Sequence, residues 1–386
     1  MCSRSVHDSS ETTDRLYKDY GCRARELREE GRHVFGYLCS YVPVEMIDAA
    51  GIIPFRIKGD VNEPITKADT QMETIVCSQV RSCFDLSLKG RYGFMDGLVL
   101  PHACDSICRT YDIWKYSLGL PFNHQINTPH ETTESALALF YKMLKTFRGS
   151  LERFLGHKIS DQSLAESIEH YNQMRSRVRA LYELRKTDPP MISGSEVTKV
   201  LVAGGSIPVD EFDDLLAGVI EESEARSMSG PGNLPRLMVV AAEIDDTGFI
   251  DLIEDSGAHV VIDDLCPGTR EYFPETSVGE DPFAGLAERY LKKINCPRTY
   301  RTKTGSYEEY MEERFGHIGR FIEEFRVDGV ILYIYQYCDP FGFEVPQLKS
   351  YIEGKGTPVL YLEDEYSMSA TGRLRTRIQA FLELIG

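Results

Sequence analysis

The sequence predicts an α/β chain built as two parallel-sheet halves with a helical segment between them. Three observations predict it. Short apolar runs alternate with helical patterns over the first part of the chain, the same rhythm restarts near the end, and the middle is almost purely helical. The 386 residues suffice for two ordinary domains. At 42% hydrophobic residues, a core can be buried.

The elements follow in order. Residues 16–32 are charged and helical in pattern. The apolar run 34–38 reads as a strand that ends in Cys39. Residues 45–50 read as a short helix closed by Gly51, and 52–57 as a second strand. Residues 77–88 read as a helix closed by Gly90. Residues 96–101 form a strand bounded by turn residues, followed by Cys104 and a helix to Tyr116. Helical patterns then cover 135–155 and 161–184, and Pro189 and Pro190 end them. A further helix spans 210–226. The Gly, Pro and Ser stretch 227–233 is the best linker in the chain. After it come a strand at 237–242, a helix at 248–255 and a strand at 259–263 running into Cys266. Helices at 284–293 and 307–325 precede a strand at 328–336, which runs into Cys338. A helix at 346–353, a strand at 359–362 and an amphipathic helix at 372–384 complete the pattern. The expected division is an α/β domain over 1–155, a helical connection over 156–231 and a second α/β domain over 232–386.

A net charge of −17 argues against a nucleic-acid partner, which usually meets a basic face. No apolar run approaches the roughly 18–20 residues of a membrane helix. The first thirteen residues are polar and carry no apolar stretch like that of a signal peptide. A cytoplasmic chain is therefore expected, with its ten cysteines reduced.

Their positions are informative. Cys39, Cys104, Cys266 and Cys338 each follow a strand, and ligands of α/β sheets sit outside the carboxyl ends of strands. Cys77 opens a helix, where the dipole and free N–H groups favour a thiolate. Cys296 follows a helix and precedes Pro297, an ending common among iron–sulfur ligands. The plain alternative for a lone cysteine is a buried small residue, and Cys2, Cys22, Cys83 and Cys108 take that reading. Zinc is the competing metal. Structural zinc sites draw ligands in close pairs, and only Cys104 and Cys108 have that spacing. Ligands scattered singly suit an iron–sulfur cluster held between two halves.

Around these cysteines the sequence resembles the 2-hydroxyacyl-CoA dehydratase / benzoyl-CoA reductase family. The matching blocks are 36–51 (GYLCSYVPVEMIDAAG), 76–82 (VCSQVRS), 96–105 (DGLVLPHACD), 337–340 (YCDP), 358–366 (PVLYLEDEY) and 372–377 (GRLRTR). The resemblance implies two Rossmann-like domains and a 4Fe-4S cluster bound by Cys77, Cys104 and Cys338. It also implies a separate ATP-dependent iron–sulfur activator protein as electron donor. The further presence of Cys39, Cys266 and Cys296 resembles the branch of homodimeric double-cubane cluster proteins, with three cysteines on each cubane.

Two enzyme readings and one other follow. The first is a reductase component that takes low-potential electrons from the activator and reduces a small molecule at a double-cubane cluster. The second is one subunit of a heterodimer, acting on an acyl-CoA substrate by radical dehydration or ring reduction, with a single cubane. The third is a non-enzymatic electron carrier or zinc-stabilised scaffold. Glu45 and Ser40 are candidate catalytic residues, Glu45 as an acid/base group or else a solvated or helix-capping glutamate. His102 flanks a ligand, as Ser40 does. Arg81, Arg109 and Arg270 lie near cluster cysteines and are candidates for attracting an acyl-CoA phosphate or the activator. Gly204-Gly205-Ser206 lacks the lysine and spacing of a phosphate loop, so no nucleotide site is expected in this chain.

Overall fold

The computed structural model describes residues 8–226, 232–303 and 305–386. Cys2 and most of the expected linker, 227–233, lie outside the described residues. The first sheet comprises β1 (Val34–Tyr37), β2 (Ile53–Arg56), β3 (Gly97–Pro101) and β4 (Phe122–Ile126). The second comprises β5 (Arg236–Val240), β6 (His259–Asp264), β7 (Gly329–Tyr335) and β8 (Val359–Asp364). All pairings are parallel, in the orders β2-β1-β3-β4 and β6-β5-β7-β8. These are two Rossmann-like sheets with the same winding. In each, the winding reverses beside the first strand, between β1 and β3 and between β5 and β7. At such a reversal the crossovers leave toward opposite faces and open a crevice at the carboxyl edge.

Strands β1, β2, β3, β5 and β7 are buried at every residue. That is the expected state of parallel strands covered on both faces, and it explains their apolar runs. The side-chain alternation assigns the faces. Met238, Val240, Val330 and Leu332 enter one core, while Leu237, Val239, Ile331 and Tyr333 enter another. In the first sheet Phe35 and Val99 join that same first core, and Val34 and Leu98 turn to their own helices. The shared core is filled by the middle helices Glu134–Leu155 and Asp161–Glu183, through Phe140, Leu144, Phe147, Val178 and Leu181.

Several elements differ from the sequence expectation. Residues 16–32 belong to two helices, Ser9–Lys18 and Cys22–Glu29. They break at Gly21, whose φ is 84° and where a Cβ would lie 3.1 Å from Phe94 and 3.2 Å from Phe55. Strand β4 gave no apolar signal because it is an edge strand with only Phe122 and Ile126 buried. The helix Gly194–Gly204 was not expected, although Ser193 and Glu196 form a capping box at its start. The helix expected from Pro346 begins at Asp339 and carries the proline inside. The expected helix 284–293 ends in a π turn, Arg289–Lys293. Gly204-Gly205-Ser206 closes a helix, and the Gly205 carbonyl accepts the Arg56 N–H at 2.8 Å. Cys22 is disulfide-bonded, which corrects the expectation of uniformly reduced thiols; eight other described cysteines are free. The redox poise of a compartment sets only an average tendency, and Cys22 lies in the N-terminal helical pair rather than at the sheet edges. Among the described residues, no helix is long and apolar enough to cross a membrane.

Candidate metal centre

The two carboxyl edges face one another across a cavity of about 100 Å³. Cys39, Cys77, Cys104, Cys266, Cys296 and Cys338 all line it. The rest of the wall is largely apolar, with Leu38, Val80, Ile107 and Phe341, and includes Gln79, Glu243 and Arg298. Cys83 and Cys108 are not in that wall; Cys83 is fully buried in the core of the first half.

The six cysteines reach the cavity by two kinds of local structure. Cys77, Cys104 and Cys338 are each the N-cap of a helix: Ser78–Leu88, Asp105–Leu118 and Asp339–Gly354. None makes a conventional side-chain capping bond; each sulfur lies beside the positive end of its helix, facing N–H groups of the first turn. Cys39, Cys266 and Cys296 sit in loops instead. Cys39 has a φ of 74°, and Tyr337, which precedes Cys338, has a φ of 65°. Left-handed backbone is uncommon for residues other than glycine. Two of the four such described residues therefore flank this one cavity.

Electrostatics group the thiols. Burial pushes Cys39 well up, and the next contributions come from Cys266 and Cys296. Burial likewise raises Cys338, followed by Cys77 and Cys104. Cys104 is pushed up to about 12 by burial, with Cys77 its leading thiol neighbour. Cys266 is pushed up to about 12 by burial, against the pull of Arg270, with Cys296 its leading thiol neighbour. The leading thiol neighbour is thus Cys266 for Cys39, Cys77 for both Cys104 and Cys338, and Cys296 for Cys266. N–H groups act the other way: Gln79 and Val80 on Cys77, Ile107 on Cys104, Phe341 on Cys338 and Tyr41 on Cys39.

Three charged residues at the centre either carry no signal in the sequence or take a role other than the one expected of them. Arg298 donates to the carbonyls of His102 (2.8 Å), Ala103 (3.2 Å), Thr128 (2.9 Å) and Pro129 (2.5 Å). It thereby ties the Cys296 loop to the Cys104 loop. Glu243 follows β5 as Cys39 follows β1, so the strand-end rule could have found it. It is held by Arg56, whose Nε and Nη2 bond it at 3.0–3.1 Å, and Arg56 also pairs with Glu271. Burial, with Asp245 and Glu271 nearby, pushes Glu243 up to about 7 against that pull. Arg270 is wholly buried and bonds the Cys266 sulfur at 3.2 Å. It therefore offers no exposed charge to a phosphate or an activator.

The other expected residues lie elsewhere. Glu45 is fully buried, is not in the cavity wall, and pairs with Arg175 at 2.6 Å and with the Tyr290 hydroxyl at 2.7 Å. Burial alone would raise its carboxyl, yet Arg175 and Arg289 hold it down to about 2. The solvated or capping alternative fails with it, because the group is neither exposed nor bonded to a free helix end. Ser40 donates to the Cys266 carbonyl at 3.1 Å and to Glu271 at 3.3 Å, so it joins the two halves beside Cys39. His102 is exposed and contacts Asn127. Arg81 pairs with Asp69, and Arg109 with Asp105 on the surface.

Among the described residues, no group of three His, Cys, Asp or Glu side chains is arranged to hold a single metal ion. The six cysteines line a cavity instead, and a single zinc needs ligands about 2.3 Å from one point. Buried thiols whose ionisation is opposed by burial and by one another suit a polynuclear cationic group, which would deprotonate them on binding.

The profile of the family described as "2-hydroxyglutaryl-CoA dehydratase, D-component" matches residues 39–385. A benzoyl-CoA reductase subunit of Thauera aromatica is 27% identical over 97% of each chain. The (R)-phenyllactyl-CoA dehydratase beta subunit of Clostridium sporogenes is 25% identical over 94% of each, and the putative dehydratase subunit YjiM of Escherichia coli is 27% identical over 93% of each. The profile takes in seven of the eight strands and all six cavity cysteines, and the chain belongs to the 2-hydroxyglutaryl-CoA dehydratase D-component family.

Proposed function

We propose that this chain is the iron–sulfur component of a reductase, holding a double-cubane cluster on two cysteine trios. Cys77, Cys104 and Cys338 would hold one cubane and Cys39, Cys266 and Cys296 the other. The observation that carries the reading is that all six cysteines line one cavity between the halves. When bound, such a group supplies electron transfer at very negative potential. The chain's own part is to shield it. Leu38, Val80, Ile107 and Phe341 exclude water, and the N-terminal ends of three helices compensate the negative charge of one trio. Electrons would come from an ATP-hydrolysing activator, and the reducible compound is a small molecule able to reach the cavity.

The names of the relatives favour a second reading. They are subunits, which supports a heteromeric dehydratase or reductase with a partner subunit and one cubane on Cys77, Cys104 and Cys338. Anaerobic purification with iron and sulfide analysis decides between them. About eight irons per chain supports the double cubane and about four the single one. Serine at Cys266 or Cys296 should cut iron by about half in the first case and leave it unchanged in the second. Zinc without iron would sink both.

A further inference from the structure

We propose that Arg270 sets the reduction potential of the Cys39, Cys266 and Cys296 side of the centre through a charged hydrogen bond to the Cys266 sulfur. The inference rests on the double-cubane reading, in which alone Cys266 is a ligand, and adds a positioning residue to it.

The geometry leaves Arg270 little other freedom. Its Nη1 lies 3.2 Å from Cys266 Sγ and its side chain has no exposure. The remaining donors are fixed by backbone. Nε bonds the Asn295 carbonyl at 3.0 Å, one residue before Cys296, and Nη2 bonds the Asp264 carbonyl at 2.9 Å. Nη1 also approaches the Ala241 carbonyl at 3.3 Å. The guanidinium plane lies over Phe341, 4.9 Å from the ring centroid. A fork anchored to the ends of β5 and β6 and to the Cys296 loop cannot follow a mobile ligand. It presents one N–H to one sulfur.

The two trios therefore differ in kind. Helix N-termini serve Cys77, Cys104 and Cys338, whereas Cys266 takes its bond from a full cation. A charge-assisted bond is roughly twice as strong as a neutral one. Donation to a cluster sulfur stabilises the electron-rich state and raises the potential. Asp264 opposes this, because its carboxylate pairs with the guanidinium at 3.0 Å without taking the N–H that faces sulfur. The pair gives two handles of opposite sign.

The test is a redox titration, followed by electron paramagnetic resonance, of the full chain reconstituted anaerobically with iron and sulfide. Arg270→Gln keeps a donor and removes the charge. It should retain wild-type iron and show a one-electron reduction constant at least tenfold lower, a midpoint about 59 mV more negative. Asp264→Asn should shift the midpoint in the positive direction, and it decides the matter if Arg270→Gln does not fold. Unshifted midpoints in iron-loaded variants would overturn the proposal. So would loss of iron in both, which would make Arg270 a structural brace. A wild-type chain that takes up no iron, or only about four irons per chain, defeats the double-cubane reading itself, a result distinct from either.

Discussion

Glu45 shows what a buried charge must have around it. A carboxylate with no exposure survives only when paired, and Arg175, Tyr290 and Thr276 all bond it. Glu45→Gln would leave Arg175 and Arg289 buried with no neutralising charge here. A stability loss of about 3–5 kcal/mol at neutral pH is expected, read from the urea midpoint. The sign with pH follows from a folded carboxyl held near 2 against an ordinary 4.5. The ionised pair stabilises the fold fully above about 4.5, and that contribution is lost as pH falls toward 2. Wild type and Glu45→Gln should therefore converge in stability in acid, and a constant gap would refute this account. At this scale the sequence was legible for the gathering of the cysteines at one cavity, because the carboxyl ends of parallel strands share one edge. It was not legible for Glu45, whose partners lie 130 and 245 residues away. Arg270 and Glu243 were hidden for a related reason: only the assembled edges show which sulfur or cation each one meets.

The elements that carry the centre are three helices begun by cysteine. Serine is among the best N-caps, and a thiol is a weaker acceptor than a hydroxyl for the N–H groups of the first turn. Replacing Cys104 or Cys338 by serine should therefore leave the metal-free chain as stable as wild type, or more so by up to about 1 kcal/mol. Iron uptake should fall in the same variants. Denaturation of the metal-free protein beside iron analysis separates the two effects, and a serine variant that unfolds more easily would show that the thiols serve the fold. The strands were readable because both their faces are covered, so burial wrote continuous apolar runs into β1, β3, β5 and β7. Strand β4 escaped for the converse reason, with Asn123, His124 and Gln125 only half-buried at the sheet edge. The helix Asp339–Gly354 was read short because Pro346 looks like a boundary. The helix instead starts directly after its N-cap, Cys338, which is itself one of the cavity cysteines.

At the scale of the whole molecule the question is what presses the two edges together. The sequence showed two sheets of one rhythm but not that they face each other, since that depends on pairings between distant loops. Asp245 from the second half accepts the Gly59 N–H at 3.2 Å, Gln79 at 3.3 Å and the Tyr366 hydroxyl at 2.6 Å. Gly59 is needed there because a Cβ would lie 2.5 Å from the Tyr366 ring. On the other side of the cavity, Arg298 spans the gap to four carbonyls of the first half. Arg298→Ala would leave those carbonyls without their donor. A loss on the order of 3 kcal/mol is expected, in excess of a surface arginine, because unmade buried bonds cost more than made ones return. The consequence for the centre should be specific. In the proposed double-cubane arrangement Cys296 and Cys104 belong to different trios, and Arg298 fixes the loop of one against the loop of the other. Iron uptake should therefore fall below the half expected from losing a single trio. Lysine at 298 should not rescue it, because one ammonium cannot reach carbonyls spread over four residues. If Arg298→Ala binds wild-type iron while its urea midpoint drops, the two edges are registered by Arg56 and Asp245 instead, and the centre tolerates movement on the Arg298 side.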